Sequence, residues 1–312
     1  MMVDPCDGIL LVDKKEGETS FSVVRKVRYA SGARKVGHAG TLDPFATGLL
    51  VVLLGQATKL SPFLMGGEKR YRAVIRLGAE TDTMDPTGRI VRTSPVPSME
   101  PDFIEECALS FLGEIEQVPP LFSAVKYRGK RAYHLARKGI KAELEKRKVR
   151  IYRLEIESID LPDVTVAVTC SGGTYIRSLA ADLGRRLGPG AHLKALRRLS
   201  SGCFSVAYAL DSECLESDFS TKTLKQRMIP LQEALPGMEE IQVDEPMASR
   251  IRQGYQPEWE ELKGVVGPPP VREFHVKLVK GKELVAVMKT GPGLDAGASR
   301  LKGVRVFHPF NP

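Results

Sequence analysis

The chain has 312 residues, with 46 Lys+Arg against 38 Asp+Glu for a formal charge of +8; 42% of it is hydrophobic and 27% charged. This composition supports a packed core in one large or two smaller domains and excludes disordered, collagen-like and coiled-coil chains. The longest wholly apolar run, Leu49–Leu54, is far too short for a bilayer span, and the first residues lack the basic and apolar regions of a secretory signal. The five cysteines are odd in number and form no C-x-x-C pair, so no disulfide framework or zinc site is expected and a reducing cytoplasm is the simplest setting.

In chain order, Gly8–Asp13 reads as a strand, and Thr19-Ser20 can cap a helix to about Tyr29, with Phe21, Val24 and Val27 at helical spacing. Residues Ser31–Pro44 read as a Gly-rich loop and Gly48–Leu54 as a buried strand. Lys69–Leu77 alternates, with Tyr71, Ala73, Ile75 and Leu77 on one face. Turns are expected at Asp82–Gly88 and Pro95–Pro101, followed by a helix over Asp102–Leu112. A helix is expected near Arg131–Lys138, strands at Val149–Ile159 and Val164–Cys170, a helix over Thr174–Leu187, a strand at His192–Leu199 and helical segments over Lys222–Ala234. Pro236-Gly237 marks a domain boundary. Beyond it come a helix at Pro246–Arg252, a turn at Pro268–Pro270 and strands at Phe274–Val279, Glu283–Val287 and Gly303–Phe307. Without a regular βαβ rhythm, this order predicts an α+β fold with a mixed or antiparallel sheet.

Charge is concentrated. Lys126–Arg153 holds 12 Lys+Arg and 2 Asp+Glu, a net +10 that leaves the rest of the chain at −2. Tyr127, Tyr133, His134 and Tyr152 interleave with these cations. Cations neutralise phosphates and aromatic rings stack on unpaired bases, so the segment is either a nucleic-acid contact or a solvated basic face.

Two further stretches hold candidate chemistry. The first, Lys35–Gly48 (KVGHAGTLDPFATG), places His38 and Asp43 in a loop whose glycines permit close ligand approach. It is neither a Walker A nor a dinucleotide fingerprint, and Asp43 before Pro44 also fits an ordinary Asx turn. The second, Cys170–Leu179 (CSGGTYIRSL), runs from a strand through a Gly pair into a helix and puts Tyr175 and Arg177 at the helix start. An Arg there either grips a carboxylate in fork geometry or is a plain surface residue.

Together these stretches resemble the TruB family of tRNA pseudouridine synthases. The family pattern GHxGxLDPxAxGxL reads GHAGTLDPFATGLL here. The similarity continues through Gly55–Lys59, Lys69–Tyr71, Thr81–Gly88, Gln117–Pro120, Ser123–Lys126, Gly173–Ser178 and Gly190–Arg198, spanning about residues 8–205. The resemblance implies a pseudouridine synthase fold: a central mixed, largely antiparallel sheet with flanking helices in residues 1–235, and a small C-terminal β-rich PUA-like RNA-binding domain over 238–312. It implies isomerisation of uridine to pseudouridine at position 55 in the tRNA T loop, by base flipping and without a cofactor or metal. The implied partner is tRNA, bound by a monomer with no protein partner and no membrane.

By the same resemblance, Asp43 is the catalytic aspartate, acting as nucleophile or base at the sugar, and Arg177 supplies its counter-charge. Tyr71 stacks on the target base and His38 enters the T loop. Tyr175 and Leu196 line the nucleotide pocket, and Lys59 lies near the RNA. The basic segment corresponds to a thumb-like insertion over about 118–150, in which Lys126, Arg128, Lys130, Arg131, Arg137 and Lys138 contact phosphates. Three other readings are open to the sequence: a guide-RNA-dependent subunit of box H/ACA particles, an RNA-binding or RNA-folding protein without catalysis, and a metal-dependent hydrolase using His38 and Asp43, which lacks further ligands at suitable spacing.

Overall fold

The computed structural model describes residues 7–123, 125–127, 129–136, 140, 144–215, 221–262, 273–290 and 301–309. The Pro268–Pro270 turn lies outside them, as do Arg128, Arg137 and Lys138.

The chain opens with β1 (Gly8–Lys14) and α1 (Ser20–Ser31). Thr19 caps α1 by accepting from the Ser22 amide, and Gly32 closes it at φ 65°. Next come β2 (Val36–His38), β3 (Thr47–Leu54), a 3-10 turn (Gly55–Leu60), α2 (Ser61–Met65) and β4 (Lys69–Leu77). The hairpin β5 (Ala79–Thr81) and β6 (Ile90–Thr93) leads to α3 (Pro101–Leu109) and β7 (Gly113–Gln117). A small ribbon, β8 (Lys126–Tyr127) and β9 (Lys130–Arg131), runs into α4 (Ala132–Ala136) within the basic segment. Then follow β10 (Arg147–Asp160), β11 (Asp163–Cys170), α5 (Ile176–Leu187), β12 (Ala191–Ser201), β13 (Phe204–Ser205), β14 (Leu210–Asp211) and α6 (Thr221–Arg227). The C-terminal sheet is built from β15 (Glu239–Gln242), β16 (Phe274–Lys280), β17 (Glu283–Thr290) and β18 (Lys302–Val306), with α7 (Glu245–Arg252) beside it.

The expected α+β class holds. The central sheet has ten strands in the order β14-β1-β3-β12-β4-β11-β10-β7, with β2 on β3 and β13 on β12. Pairing is antiparallel except for β1–β14 and β3–β12. Strand alternation sets the layers. From β3, Leu50, Val52 and Leu54 meet Val23, Val24 and Val27 of α1, while Leu49, Val51 and Leu53 pack with Val279, Leu284, Val287 and Phe307 of the C-terminal portion. The inward residues of β4, β11 and β12 form a third cluster with α3 and α5.

Local differences from the sequence reading have physical causes. β2 lies inside the expected loop, because three residues in antiparallel register with long β3 suffice to make a strand. β7 (GEIEQ) alternates charged and apolar residues at the sheet edge, where one face stays in water. The expected helical segments over Lys222–Ala234 are two short pieces: α6 stops at Arg227, Ile229 bridges to Ile9, and a 3-10 turn follows Pro230 over Leu231–Ala234.

Two antiparallel halves meet at β3–β12, where Thr47 faces Arg197 and Gly48 faces Arg198. Gly48 has φ +98°, and a Cβ there would lie 2.3 Å from the Arg198 carbonyl oxygen and 2.7 Å from its nitrogen. Gly48→Ala should therefore cost at least ~2 kcal/mol in denaturant unfolding, since both strain and backbone collision act there. Gly17→Ala, at φ +82° in open space, should cost about 1 kcal/mol. Equal costs at both sites would mean that the close approach of the strands is unimportant.

Candidate active site

The loop between β2 and β3 delivers Asp43 to the junction of the two half-sheets. Every carbonyl from Gly40 to Pro44 has a donor. Arg198 Nη2 donates to Gly40 O at 3.0 Å and Nη1 to Thr41 O at 3.4 Å. Ser20 Oγ donates to Leu42 O at 3.0 Å and accepts from Leu42 N at 2.8 Å. Asp43 O receives Ala46 N at 3.1 Å, closing a turn with Pro44 second. Pro44 O takes Gly17 N at 2.9 Å and Lys14 Nζ at 3.2 Å. The turn that the Asp-Pro pair suggested is present, but it uses the main chain and leaves the carboxylate free for Arg177.

Arg177 sits one residue into α5 and is only 4% exposed. Its Nε lies 3.0 Å from Asp43 Oδ2, and Nη2 donates to Asp43 Oδ1 at 3.3 Å. Nη2 also donates to Phe122 O at 2.9 Å, and Nη1 donates to Asp85 Oδ2 and Thr83 O, both at 3.1 Å. All four Nη–H donors of the guanidinium are used in hydrogen bonds, and Nε makes the ion-pair contact with Asp43. Asp85 in turn accepts from Thr83 Oγ1 (2.7 Å), Thr87 N (3.0 Å) and Thr87 Oγ1 (2.6 Å).

Asp43 and Arg177 line a cavity of about 260 Å³ together with Tyr71, Tyr175, Leu196, Lys69, Met65 and Arg198. Asp43 is the one carboxylate among the described residues lining it. Burial pushes the Asp43 carboxyl above its usual 3.8; Arg177 and Lys14 oppose the rise and Asp85 adds to it. The Tyr71 ring belongs to the apolar cluster with Ala73 and Ile75 and also lines the cavity. Burial raises its phenol further above the usual 10.0, keeping it protonated.

The structure thus gathers Asp43, Arg177, Tyr71, Tyr175 and Leu196 around one cavity. His38 is outside its lining, on β2; its buried Nδ1 has no partner among the described residues, and burial with nearby Arg198 lowers its pKa, leaving it neutral at pH 7. His38 and Asp43 form no metal-ligating group with other described side chains. Lys59 is elsewhere: its Nζ donates to Val306 O at 2.7 Å and Gln56 Oε1 at 2.9 Å, above the Phe307 ring, at the joint with the C-terminal sheet. Lys126, Lys130 and Arg131 are on the β8–β9 ribbon, with their side chains outside the described set.

Four further residues have structural parts at the site that the sequence motifs do not assign. Asp85 and Arg198 are described above. Gln117 grips Tyr175 from both sides, accepting from its N at 3.1 Å and donating to its O at 3.3 Å. Lys69 donates to Leu64 O, Met65 O and Gly67 O at 3.3, 3.2 and 2.6 Å. Lys69 shares the parity of Tyr71 and Ala73 on β4, and that signal predicts an inward cation.

Residues 28–176 match the TruB family pseudouridylate synthase N-terminal domain, and residues 177–241 match the tRNA pseudouridylate synthase B C-terminal domain. A protein of Syntrophus aciditrophicus named tRNA pseudouridine synthase B is 41% identical over 97% of this chain and 99% of its own length. A protein of the same name from Clostridium kluyveri is 47% identical over 80% of this chain and 84% of its own length. The chain belongs to the TruB family. Among solved structures, a chain of a Cbf5-Nop10-Gar1 complex aligns with TM-score 0.72 and 27% identity over 97% of this chain and 85% of that one. A chain from an H/ACA ribonucleoprotein bound to a substrate RNA containing 2′-deoxyuridine aligns with TM-score 0.71 and 25% identity at the same coverage.

In a TruB-family site, the ionised Asp43 is held against its own desolvation, which fixes the sign of two expected effects. Its folded pKa is raised, so the folded protein takes up a proton at higher pH than the unfolded chain does. Ionised Asp43 therefore costs stability at neutral pH, and that cost disappears as pH falls through the folded pKa. Asp43→Asn should leave the melting temperature unchanged or raised while abolishing product. Arg177→Ala strands the 6%-exposed Asp85 side chain and should cost about 3–5 kcal/mol in chemical denaturation. A markedly destabilised Asp43→Asn would contradict this reading.

Proposed function

We propose that this chain isomerises uridine 55 in the T loop of tRNA to pseudouridine, acting alone, as a monomer, in the cytoplasm. The observation that carries the proposal is the Asp43–Arg177 fork beside Tyr71 in a cavity sized for about one pyrimidine nucleoside. The relatives named for this activity are 40–47% identical. The H/ACA structures are more distant, at 25–27%, which favours the stand-alone tRNA enzyme over the guided subunit.

A uridine within a folded loop is flipped out to reach such a cavity. Tyr71 stacks on the flipped base, Leu196 and Tyr175 bound the ribose and base, and His38 enters the loop. The uncharged His38 imidazole, with a free buried nitrogen, suits insertion among bases. Asp43 provides the electron pair at the sugar, as nucleophile or base. The N1–C1′ bond breaks, the base turns, C5 bonds to C1′, the C5 proton leaves and N1 gains one. The reaction is redox-neutral. Phosphate contacts from Lys126, Arg128, Lys130, Arg131, Arg137 and Lys138 hold the stem.

The test is incubation of the purified chain alone with an unmodified tRNA transcript, mapping pseudouridine by base-specific chemistry. Product at position 55 with wild type and none with Asp43→Asn is the expected result. Product only on adding guide RNA and partner proteins would assign the guided reading instead. Because the raised Asp43 must be ionised to act, kcat/KM should fall on the acid side through a pKa above 3.8. A flat profile down to pH 4 would exclude that requirement.

A further inference from the structure

Helix α1 buries Val23, Val24 and Val27 and turns its other side to water. On that side Phe21 is 73% and Tyr29 92% exposed, and Arg25 and Arg28 are exposed beside them. At 3.6 residues per turn these four positions fall within an arc of about 100°. The helix contains no Asp or Glu, and neither arginine forms an ion pair among the described residues. Single exposed aromatics are ordinary, but two rings spaced by two unneutralised guanidiniums on one face form a pattern.

The position of this face is also specific. Ser20, the first residue of α1, clamps Leu42 next to Asp43 through its buried hydroxyl. The stripe begins at the following residue and runs about 12 Å along the helix from that loop. Ser20 itself is buried on the valine side of the helix, so the Asp43 loop anchors the start of α1 from the core side while the stripe faces away from that loop.

We infer that Phe21, Arg25, Arg28 and Tyr29 form a second RNA-contact surface, which binds the part of the tRNA outside the T stem-loop. Guanidiniums neutralise phosphate and stack on bases, and two rings offer stacking faces for unpaired nucleotides. A membrane surface fits less well, since the apolar side of the helix is already spent in the core and two rings alone are a poor anchor. The assignment rests on the proposed tRNA activity.

The test uses full-length tRNA transcript and an isolated T stem-loop, with binding measured by fluorescence anisotropy in the Asp43→Asn background so that no product forms. Two independent pairs are compared, Arg25→Glu with Arg28→Glu and Phe21→Ala with Tyr29→Ala. Thermal melts establish that each pair is folded, and the Ala pair suffices if charge reversal disturbs the helix. The expected result is full-length tRNA binding weakened at least tenfold by charge reversal and at least fivefold by ring removal. Stem-loop binding should stay within about twofold, and the salt slope for full-length tRNA should shrink by about two in the charge-reversal pair. Unchanged affinity for full-length tRNA in both pairs would overturn the inference, as would equal losses on both RNAs. Failure of the underlying activity shows separately: wild-type protein would then leave the uridine of the stem-loop unmodified.

Discussion

The structure turns on one guanidinium. Arg177 is buried at the start of α5, donates four hydrogen bonds to groups drawn from three distant parts of the chain, and pairs through Nε with Asp43. Burying a charge is costly unless it is paired and hydrogen-bonded, and this one has two carboxylate partners and four hydrogen bonds. Its two carboxylate partners differ. Asp85 is closed in by Thr83 and Thr87 and serves as a permanent counter-ion. Asp43 has no other side-chain donor among the described residues and opens on the cavity. Asp85 thus keeps Arg177 in place whether Asp43 is ionised, protonated or engaged with substrate.

The second constraint is the main chain. A loop at a sheet junction exposes carbonyls that must find donors. Here Arg198, Ser20, Ala46, Gly17 and Lys14 supply them from five different places. The parallel β3–β12 contact makes this possible, because Gly48 lets Arg198 lie directly against the strand that follows the loop. Arg198 Nε also donates to Leu49 O at 2.7 Å, so one side chain stitches the loop to the strand. Fold and site share the same bonds at this point, which explains a positioned carboxylate in a Gly-containing loop.

How much of this could be read beforehand depended on range. The alternation over Lys69–Leu77 placed Tyr71 on the inward face, and the Ser-Gly-Gly-Thr turn placed Arg177 at a helix start; both are local patterns. The aspartate stood out through a long continuous motif and the basic segment through charge density. Asp85 stayed silent because its partner lies 92 positions away and Asp-Pro-Thr-Gly reads equally as a surface turn. Arg198 stayed silent because adjacent Arg197 behaves as expected, pairing with Asp13 at 40% side-chain exposure, while its neighbour is 1% exposed. Strand parity distinguishes the two once the strand is known. The short strands β2 and β7 take their existence from neighbours, which no local pattern records.

Two lysines brace the site without any carboxylate as hydrogen-bond acceptor. Lys14 Nζ donates to Lys15 O, Glu18 O and Pro44 O, and Lys69 Nζ to Leu64 O, Met65 O and Gly67 O. Each ammonium has three donors and each finds three carbonyls, with no carboxylate needed. Burial lowers both to about 8, yet near neutral pH both remain charged. One lysine secures the Asp43 side of the cavity and the other the Met65 side. With carbonyls as their hydrogen-bond acceptors, both keep most of their positive charge toward the site. That charge helps ionise Asp43 from the Lys14 side and complements an entering phosphodiester. A carboxylate partner would hold either loop equally well but would cancel that field, so carbonyl binding is the arrangement that serves structure and electrostatics together.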